Sequence, residues 1–349
     1  MIHGAPASGD AADVARAIAG AQAQDVNAGP LTFRTRDGRL TAADVHRART
    51  DQRSLLRTWV MRKTIHLIPT EDAGWLLPLF EPMIERWSRR RLEQLGLPAV
   101  RQEKALRAIG RALEAEGPIT RSEAAERVTA EGLELTPETR LHVALLAVTS
   151  GMACLGPDRG RQSCLVLRRD WLGELPPFDR ERALAELARR YLRAFAPATD
   201  RDLATWSGLG LREVRSGLRA IADEIAEVRV GEERMLMPAD DRRRPRSGQV
   251  RLLGAFDTYL LGYANRDFAL PSEHRAALKA GGGGWLRPVI VRDGRVIGSW
   301  RYSRRGGRVT ATIGGWPSLA GDVRDAIERE VADLGRFEGT EVALEGAAD

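Results

Sequence analysis

The chain has 349 residues, 43% apolar and 29% charged, a balance that excludes a disordered or membrane-embedded protein. Lys and Arg total 54 against 48 Asp and Glu, a formal net charge of +6 that favours a polyanionic partner only weakly. Two cysteines, Cys154 and Cys164, exclude a disulfide scaffold, and the five histidines show no zinc-ligand spacing, so no metal site is expected. Only Lys63, Lys104 and Lys279 are lysines, a bias typical of a high-GC coding sequence. Arginine number is therefore uninformative; arginine placement is not.

Along the chain, Asp10 to Gly20 reads as a short helix stopped by Gly20. Thr41 and Asp44 form a capping box that opens a helix to about Arg49. Leu55 to Ile68 alternates apolar and polar residues as a strand or hairpin does, and helices resume at Thr70 with a break expected near Pro82. A second copy is clearer. A helix over 101–116 ends at Gly117-Pro118, Thr120 and Glu123 cap a short helix, and a third helix runs from Pro137 to about Ser150. Two strands then flank a turn at 156–160. Helix, helix, helix and two-stranded wing is the winged helix-turn-helix order. A third copy comprises a helix over 179–195, one capped by Thr199 and Asp202, one over 211–225, and wing strands at 228–230 and 234–237. Beyond residue 249, strands at 289–292, 295–300 and 308–313, a helix over 319–334 and a strand at 341–344 predict a β-rich domain, with Asp293-Gly294 a type I′ turn signal. Gly281 to Gly284 reads as a linker, because no Gly-Lys-Ser/Thr follows it.

Three segments carry a resemblance: Arg57-Thr-Trp-Val-Met-Arg-Lys-Thr-Ile-His66, Pro197-Ala-Thr-x-x-Asp-x-x-x-Trp-Ser-Gly208, and Ala255-Phe-Asp-Thr-Tyr-Leu-Leu-Gly-Tyr263. With the Trp171 region, they resemble the winged-helix DNA glycosylases of the AlkZ and YcaQ type, in order, over nearly the whole chain. The resemblance implies a mainly α fold with β wings: tandem winged helix-turn-helix motifs in a C-shaped arrangement plus a C-terminal β-rich domain. The expected modules are residues 1–98, 99–175, 176–248 and 249–349. It also implies excision of bulky N7-alkylguanine adducts or unhooking of crosslinks, in base excision repair or in self-resistance to alkylating natural products.

The family's catalytic motif, Gln-apolar-Gln, is matched by Gln22-Ala23-Gln24, just past the first helix. Residues two apart face the same way only on extended backbone, so two amides acting on one water require a non-helical segment there. Glutamine is a poor general base. An N7-alkylated guanine, however, is already cationic and leaves readily, so positioning water and stabilising an oxocarbenium ion with oriented dipoles suffices. Gln24 would hold the water through its carbonyl oxygen and Gln22 would fix water or sugar; a neutral base such as uracil should leave poorly. Asp25 ranks below both glutamines and is read as a helix or turn cap. YcaQ-like members carry Asp in the second motif place, so Gln24 sets this chain nearer the AlkZ type.

Candidate DNA contacts are Arg57, Arg62, Lys63 and His66, with alternation placing Arg62, Thr64 and His66 on one face. His66 reads equally as a phosphate or sugar donor and as a structural histidine satisfied by backbone near Trp59. Arg242, Arg243, Arg244, Arg246 and Arg251 form an arginine-rich loop suited to phosphate or the minor groove. Arg86, Arg89, Arg90 and Arg91 beside Trp87 are a weaker candidate, with Trp87 read as core. Asp257, Tyr259 and Tyr263 predict a buried Asp–Tyr hydrogen bond docking the β-domain. The expected protein is a monofunctional, cofactor-free glycosylase acting as a monomer on double-stranded DNA containing alkylated bases. No lysine near the motif offers a Schiff-base nucleophile. No membrane span or secretion signal is read, so the expected place is the cytoplasm, associated with the nucleoid. The alternatives are a noncatalytic winged-helix regulator or damage sensor, and an architectural protein.

Overall fold

The computed structural model describes residues 8–25, 28–160, 162–243, 247–272, 275, 286–305, 308–314 and 321–346. The contacts divide the chain into two units: residues 47–183 form one, and residues 1–46 with 184–349 form the other. Among the described residues no helix is long and apolar enough to cross a membrane.

The N-terminal segment carries α1 (Ala11–Ala17), a two-residue strand β1 (Ala21–Gln22), α2 (Ala28–Arg34) and α3 (Ala42–Thr50). Asp10 caps α1 by accepting a hydrogen bond from the Ala12 amide at 2.7 Å. The reciprocal Thr41–Asp44 bonds at 2.8 and 3.2 Å start α3 as anticipated. Helix α2 is absent from the sequence reading, because Gly29 and Pro30 resemble a turn. Pro30 is tolerated because it lies in the first helical turn, where its missing N–H is not needed.

In the 47–183 unit, β2 (Leu55–Trp59) and β3 (Ile65–Pro69) form an antiparallel hairpin, followed by α4 (Ala73–Gln94). The break expected near Pro82 does not occur: α4 runs unbroken through Pro78 and Pro82. Each proline costs about 3 kcal/mol in a helix interior. Burial of Leu76, Leu77, Leu79, Phe80 and Ile84 contributes about 1.5–3 kcal/mol per side chain and outweighs that cost. Then follow α5 (Ala99–Glu116), β4 (Ile119–Thr120), α6 (Arg121–Ala130), α7 (Pro137–Thr149), β5 (Ala153–Arg159), β6 (Gln162–Leu167) and the short α8 (Arg168–Leu172). The complete Thr120–Glu123 capping box opens α6, and Thr136 with Pro137 opens α7. Strands in this unit run β3–β2–β5–β6–β4. The turn expected at 156–160 is instead mostly strand: β5 continues to Arg159, with an irregularity between Leu155 and Asp158.

Helix α9 (Arg180–Phe195) starts at the end of the 47–183 segment and continues into the other unit, where α10 (Asp200–Ser207), α11 (Leu211–Ala220) and the hairpin β7 (Ile225–Val230)–β8 (Glu233–Pro238) repeat the helix and hairpin order. Helix α11 stops short of the expected Ile225, because the buried Ile221 leaves helical geometry at φ −117°. The C-terminal elements are β9 (Val250–Leu253), α12 (Thr258–Leu261), β10 (Val289–Arg292), β11 (Arg295–Arg305), β12 (Arg308–Gly314), α13 (Gly321–Glu338) and β13 (Val342–Gly346). They build a five-stranded sheet ordered β13–β12–β11–β10–β9, antiparallel except for the β12–β13 pair. Asp293 and Gly294 turn the β10–β11 hairpin with φ +49° and +83°, as a type I′ turn requires. The glycine tract 281–284 lies outside the described residues.

Two arginines fasten the α2 region to these C-terminal elements. Arg34, with its side chain 1% exposed, bonds Glu330 at 3.0 Å, Asp333 at 2.8 Å and the Leu252 carbonyl at 2.8 Å. Arg36, fully buried, makes a two-pronged pair with Asp257, Nη2 to Oδ1 at 2.6 Å, and adds Thr35 and Thr258. The expected Asp–Tyr bond is therefore corrected. Asp257 pairs with Arg36 and accepts the Tyr259 amide, while the Tyr259 and Tyr263 hydroxyls donate to the carbonyls of Gly294 and Phe195, each at 2.7 Å. An ionised carboxylate satisfied by a guanidinium is the stronger partner in a dry site.

Asp257→Ala leaves a guanidinium buried without its counter-charge and should cost about 3–5 kcal/mol in urea unfolding. Asp333→Ala, whose carboxylate is 31% exposed, should cost about 1 kcal/mol or less. Equal costs would contradict the assignment of Asp257 as the buried anchor.

Candidate active site and nucleic-acid contacts

The chain leaves α1 abruptly. The Ala19 amide bonds the Arg16 carbonyl at 3.3 Å and the Gly20 amide bonds the Ala15 carbonyl at 2.8 Å, a Schellman-type ending. Ala19, at φ +55°, takes the left-handed position ahead of Gly20, at φ +93°. The next residues are extended at Ala21–Gln22 and bend at Gln24–Asp25, so the Gln-Ala-Gln motif lies on non-helical backbone. Gln22 and Ala23 are buried at 5% and 4% exposure, whereas Gln24 is exposed. Asp25 caps α2: its Oδ1 accepts the Ala28 amide at 3.2 Å and its carbonyl accepts the Gly29 amide at 3.0 Å.

In the 47–183 unit, Arg57 is half-buried on β2 and donates to Ser163 Oγ at 2.7 Å. Ser163 in turn donates to Asp158 at 2.6 Å, and Arg49 pairs with the other Asp158 oxygen at 3.0 Å. Burial, with Arg49 and Arg121 nearby and Asp158 opposing, lowers the Arg57 guanidinium to about 10, so it stays charged at neutral pH. Burial opposes ionisation of Asp158, but hydrogen bonds from Arg49 and Ser163 and the charges of Arg49 and Arg57 hold its carboxyl below the usual range. The cluster thus carries more positive than negative charge. Arg49, Ser163 and Asp158 were not legible in sequence; Arg57 and Ser163 are 106 residues apart.

The alternation expected for Arg62, Thr64 and His66 is overturned. Arg62 and Lys63 occupy left-handed positions, φ +54° and +61°, in a tight turn, and β3 begins only at Ile65. His66 is 1% exposed, faces Thr58 across the hairpin and has Nδ1 3.0 Å from the Thr64 carbonyl. Burial, helped by the Arg62 charge, pushes its pKa down to about 3. Burial and the Thr64 contact favour the structural reading of His66 over that of a phosphate or sugar donor. Lys63 sits 5.2 Å over the Trp87 ring, and Trp87 is 39% exposed rather than core. Arg89 and Arg91 are engaged by Glu85, Glu103 and Glu138.

In the expected arginine-rich loop, Arg242 is exposed. Arg243 is pinned by Asp241 at 2.6 Å and by the Arg193 carbonyl at 2.8 Å. Arg251 belongs to β9 and pairs with Glu330 at 3.0 Å, so it is not part of the loop. Arg244 and Arg246 lie outside the described residues.

The His66 geometry gives a pH prediction. Its folded pKa of about 3 lies below the ordinary value of 6.5, so the unfolded chain binds more protons between these values. Its contribution is complete above pH 6.5 and is lost as pH falls toward about 3, at up to about 1.4 kcal/mol per pH unit. His66→Asn should flatten that acid limb in urea midpoints measured against pH. Parallel profiles for wild type and variant would contradict the buried neutral histidine.

Residues 15–337 match the family model described as DNA glycosylase AlkZ-like. An interstrand DNA cross-link repair glycosylase of Streptomyces sahachiroi is 29% identical over 352 residues, covering 94% of this chain and 91% of the relative. The solved structure of the Streptomyces sahachiroi DNA glycosylase AlkZ superposes with a TM-score of 0.74 at 27% identity, covering 97% of this chain and 94% of that one. The helix-rich fold with its C-terminal sheet is thus shared along the full length, and the chain belongs to the AlkZ-like family of DNA glycosylases.

Proposed function

We propose that this glycosylase hydrolyses the N-glycosidic bond of cationic alkylated purines in duplex DNA, including bulky N7-alkylguanine adducts, and that it acts in interstrand cross-link repair, the role that the name of its Streptomyces relative states for that protein. The observation that carries the reading is the placement of Gln22 and Gln24 on non-helical backbone between a terminated helix and the capped start of α2. In this reading the Gln24 carbonyl oxygen orients the attacking water, and the Gln22 amide dipole faces the sugar as positive charge develops there. Neither amide can take up a proton, which limits the enzyme to bases that leave without one. Arg57, Arg62, Lys63 and Arg242 are the proposed phosphate contacts; Arg243, held by Asp241, would position the loop. The winged-helix modules 1–98, 99–175 and 176–248 and the domain 249–349 are part of the same proposal. It is supported by the helix–helix–helix–hairpin order of α5 to β6 and of α9 to β8. We also propose that it acts as a monomer.

The test is single-turnover base release from duplex DNA containing N7-methylguanine, read as strand cleavage at abasic sites after alkali. Gln24→Ala should slow release by about 10²-fold or more with DNA binding preserved. Because amides do not titrate, the wild-type rate should stay flat between about pH 6 and pH 8. Full activity of Gln24→Ala, or a rate that follows a titrating group across that range, would overturn the assignment.

A further inference from the structure

We infer that Gly29 is a positioning residue for the glutamine pair: having no side chain, it lets the first turn of α2 lie directly against Ala23, and that contact sets the direction of the neighbouring amides. The inference rests on the reading of Gln22 and Gln24 given above. A Cβ at residue 29 would lie 2.9 Å from Ala23 Cβ and 3.1 Å from Ala23 Cα. Carbon atoms in favourable contact stand about 3.5–4.0 Å apart, so any side chain at 29 must move either the helix or the motif.

The helix is the less yielding of the two. A Cβ at Gly254 would lie 3.1 Å from the Ala28 carbonyl and 3.3 Å from Leu31 Cβ, so α2 has no slack on that contact either. Its last residue, Arg34, is locked to Glu330 and Asp333, and Arg36 just beyond it to Asp257. Displacement therefore falls on residues 22–24. Ala23 joins the extended Ala21–Gln22 pair to the bend at Gln24–Asp25, so moving it against α2 redirects the backbone that carries both neighbours. The small apolar residue between the glutamines then has a physical role: it is the foot on which both amides stand. A shift of about 1 Å at such a site costs about 10²-fold in rate.

Gly29→Ala separates this role from a merely structural one, because alanine is the better helix former and propensity alone predicts a more stable protein. The expected result is base release from N7-methylguanine duplex slowed by about 10–100-fold, with DNA affinity and melting temperature close to wild type. Removing the opposing Cβ should restore the fit, so Ala23→Gly/Gly29→Ala should release base as fast as Ala23→Gly alone. If Gln24→Ala is inactive while Gly29→Ala matches wild type, the positioning role is overturned and the site reading stands. If Gln24→Ala is fully active, the site reading falls and this inference with it. If Gly29→Ala fails to fold, the double variant decides: a rate equal to Ala23→Gly supports the contact, and a further loss or failure to fold overturns it.

Discussion

Arg34 and Arg36 hold the part of the molecule on which the rest depends. A seven-residue helix such as α2 is far below the length at which a helix persists by itself, about 12–15 residues. What defines it here is the burial of two guanidinium groups against the carboxylates of Asp257, Glu330 and Asp333, all supplied by the C-terminal region. Glu330 also accepts from Arg251 and from the Leu252 amide, so one carboxylate joins α13, β9 and the α2 region. A buried charge held by several partners restrains geometry strongly, because any displacement leaves charge unpaired in a dry site.

That restraint bears on chemistry. The Gln-Ala-Gln segment is short and irregular, joined to α1 by the Schellman ending and to α2 by the Asp25 cap. Uncharged amides catalyse by orientation rather than by proton transfer, and orientation is only as good as the support behind it. The C-terminal sheet, distant in sequence from the motif, is in this view part of the active-site scaffold. Several other arginines play quieter parts: Arg89, Arg91, Arg168, Arg189 and Arg243 each pair with a carboxylate. The modest net charge is therefore no map of the DNA-binding surface. In the proposed reading the half-buried Arg49–Arg57–Asp158 cluster, positive on balance, is the better guide.

Sequence patterns located what is governed locally. The capping boxes at Thr120 and Thr199 and the Asp293-Gly294 turn stand where their residue types require. Local rules failed where tertiary contacts outweighed them. Pro82 does not interrupt α4, because apolar burial on both sides offsets the lost bond. Gly29 and Pro30 resemble a turn, yet they open a helix held from outside. His66 was read as either a ligand or a structural residue; burial, which sequence alone does not show, favours the structural role. The glutamine motif was visible through resemblance, but its anchors were not. Arg36 and Asp257 are separated by 221 residues and Arg34 and Glu330 by 296, with no local signal tying either pair together.

Native-state hydrogen exchange of the wild-type protein addresses this coupling most directly, by comparing the amides of α2 with those of β9. If the buried ion pairs make the two elements one cooperative unit, their amides will exchange with the same opening free energy and respond equally to added denaturant. Amides of α2 that exchange through a separate, much lower-energy opening while β9 stays protected would contradict the account.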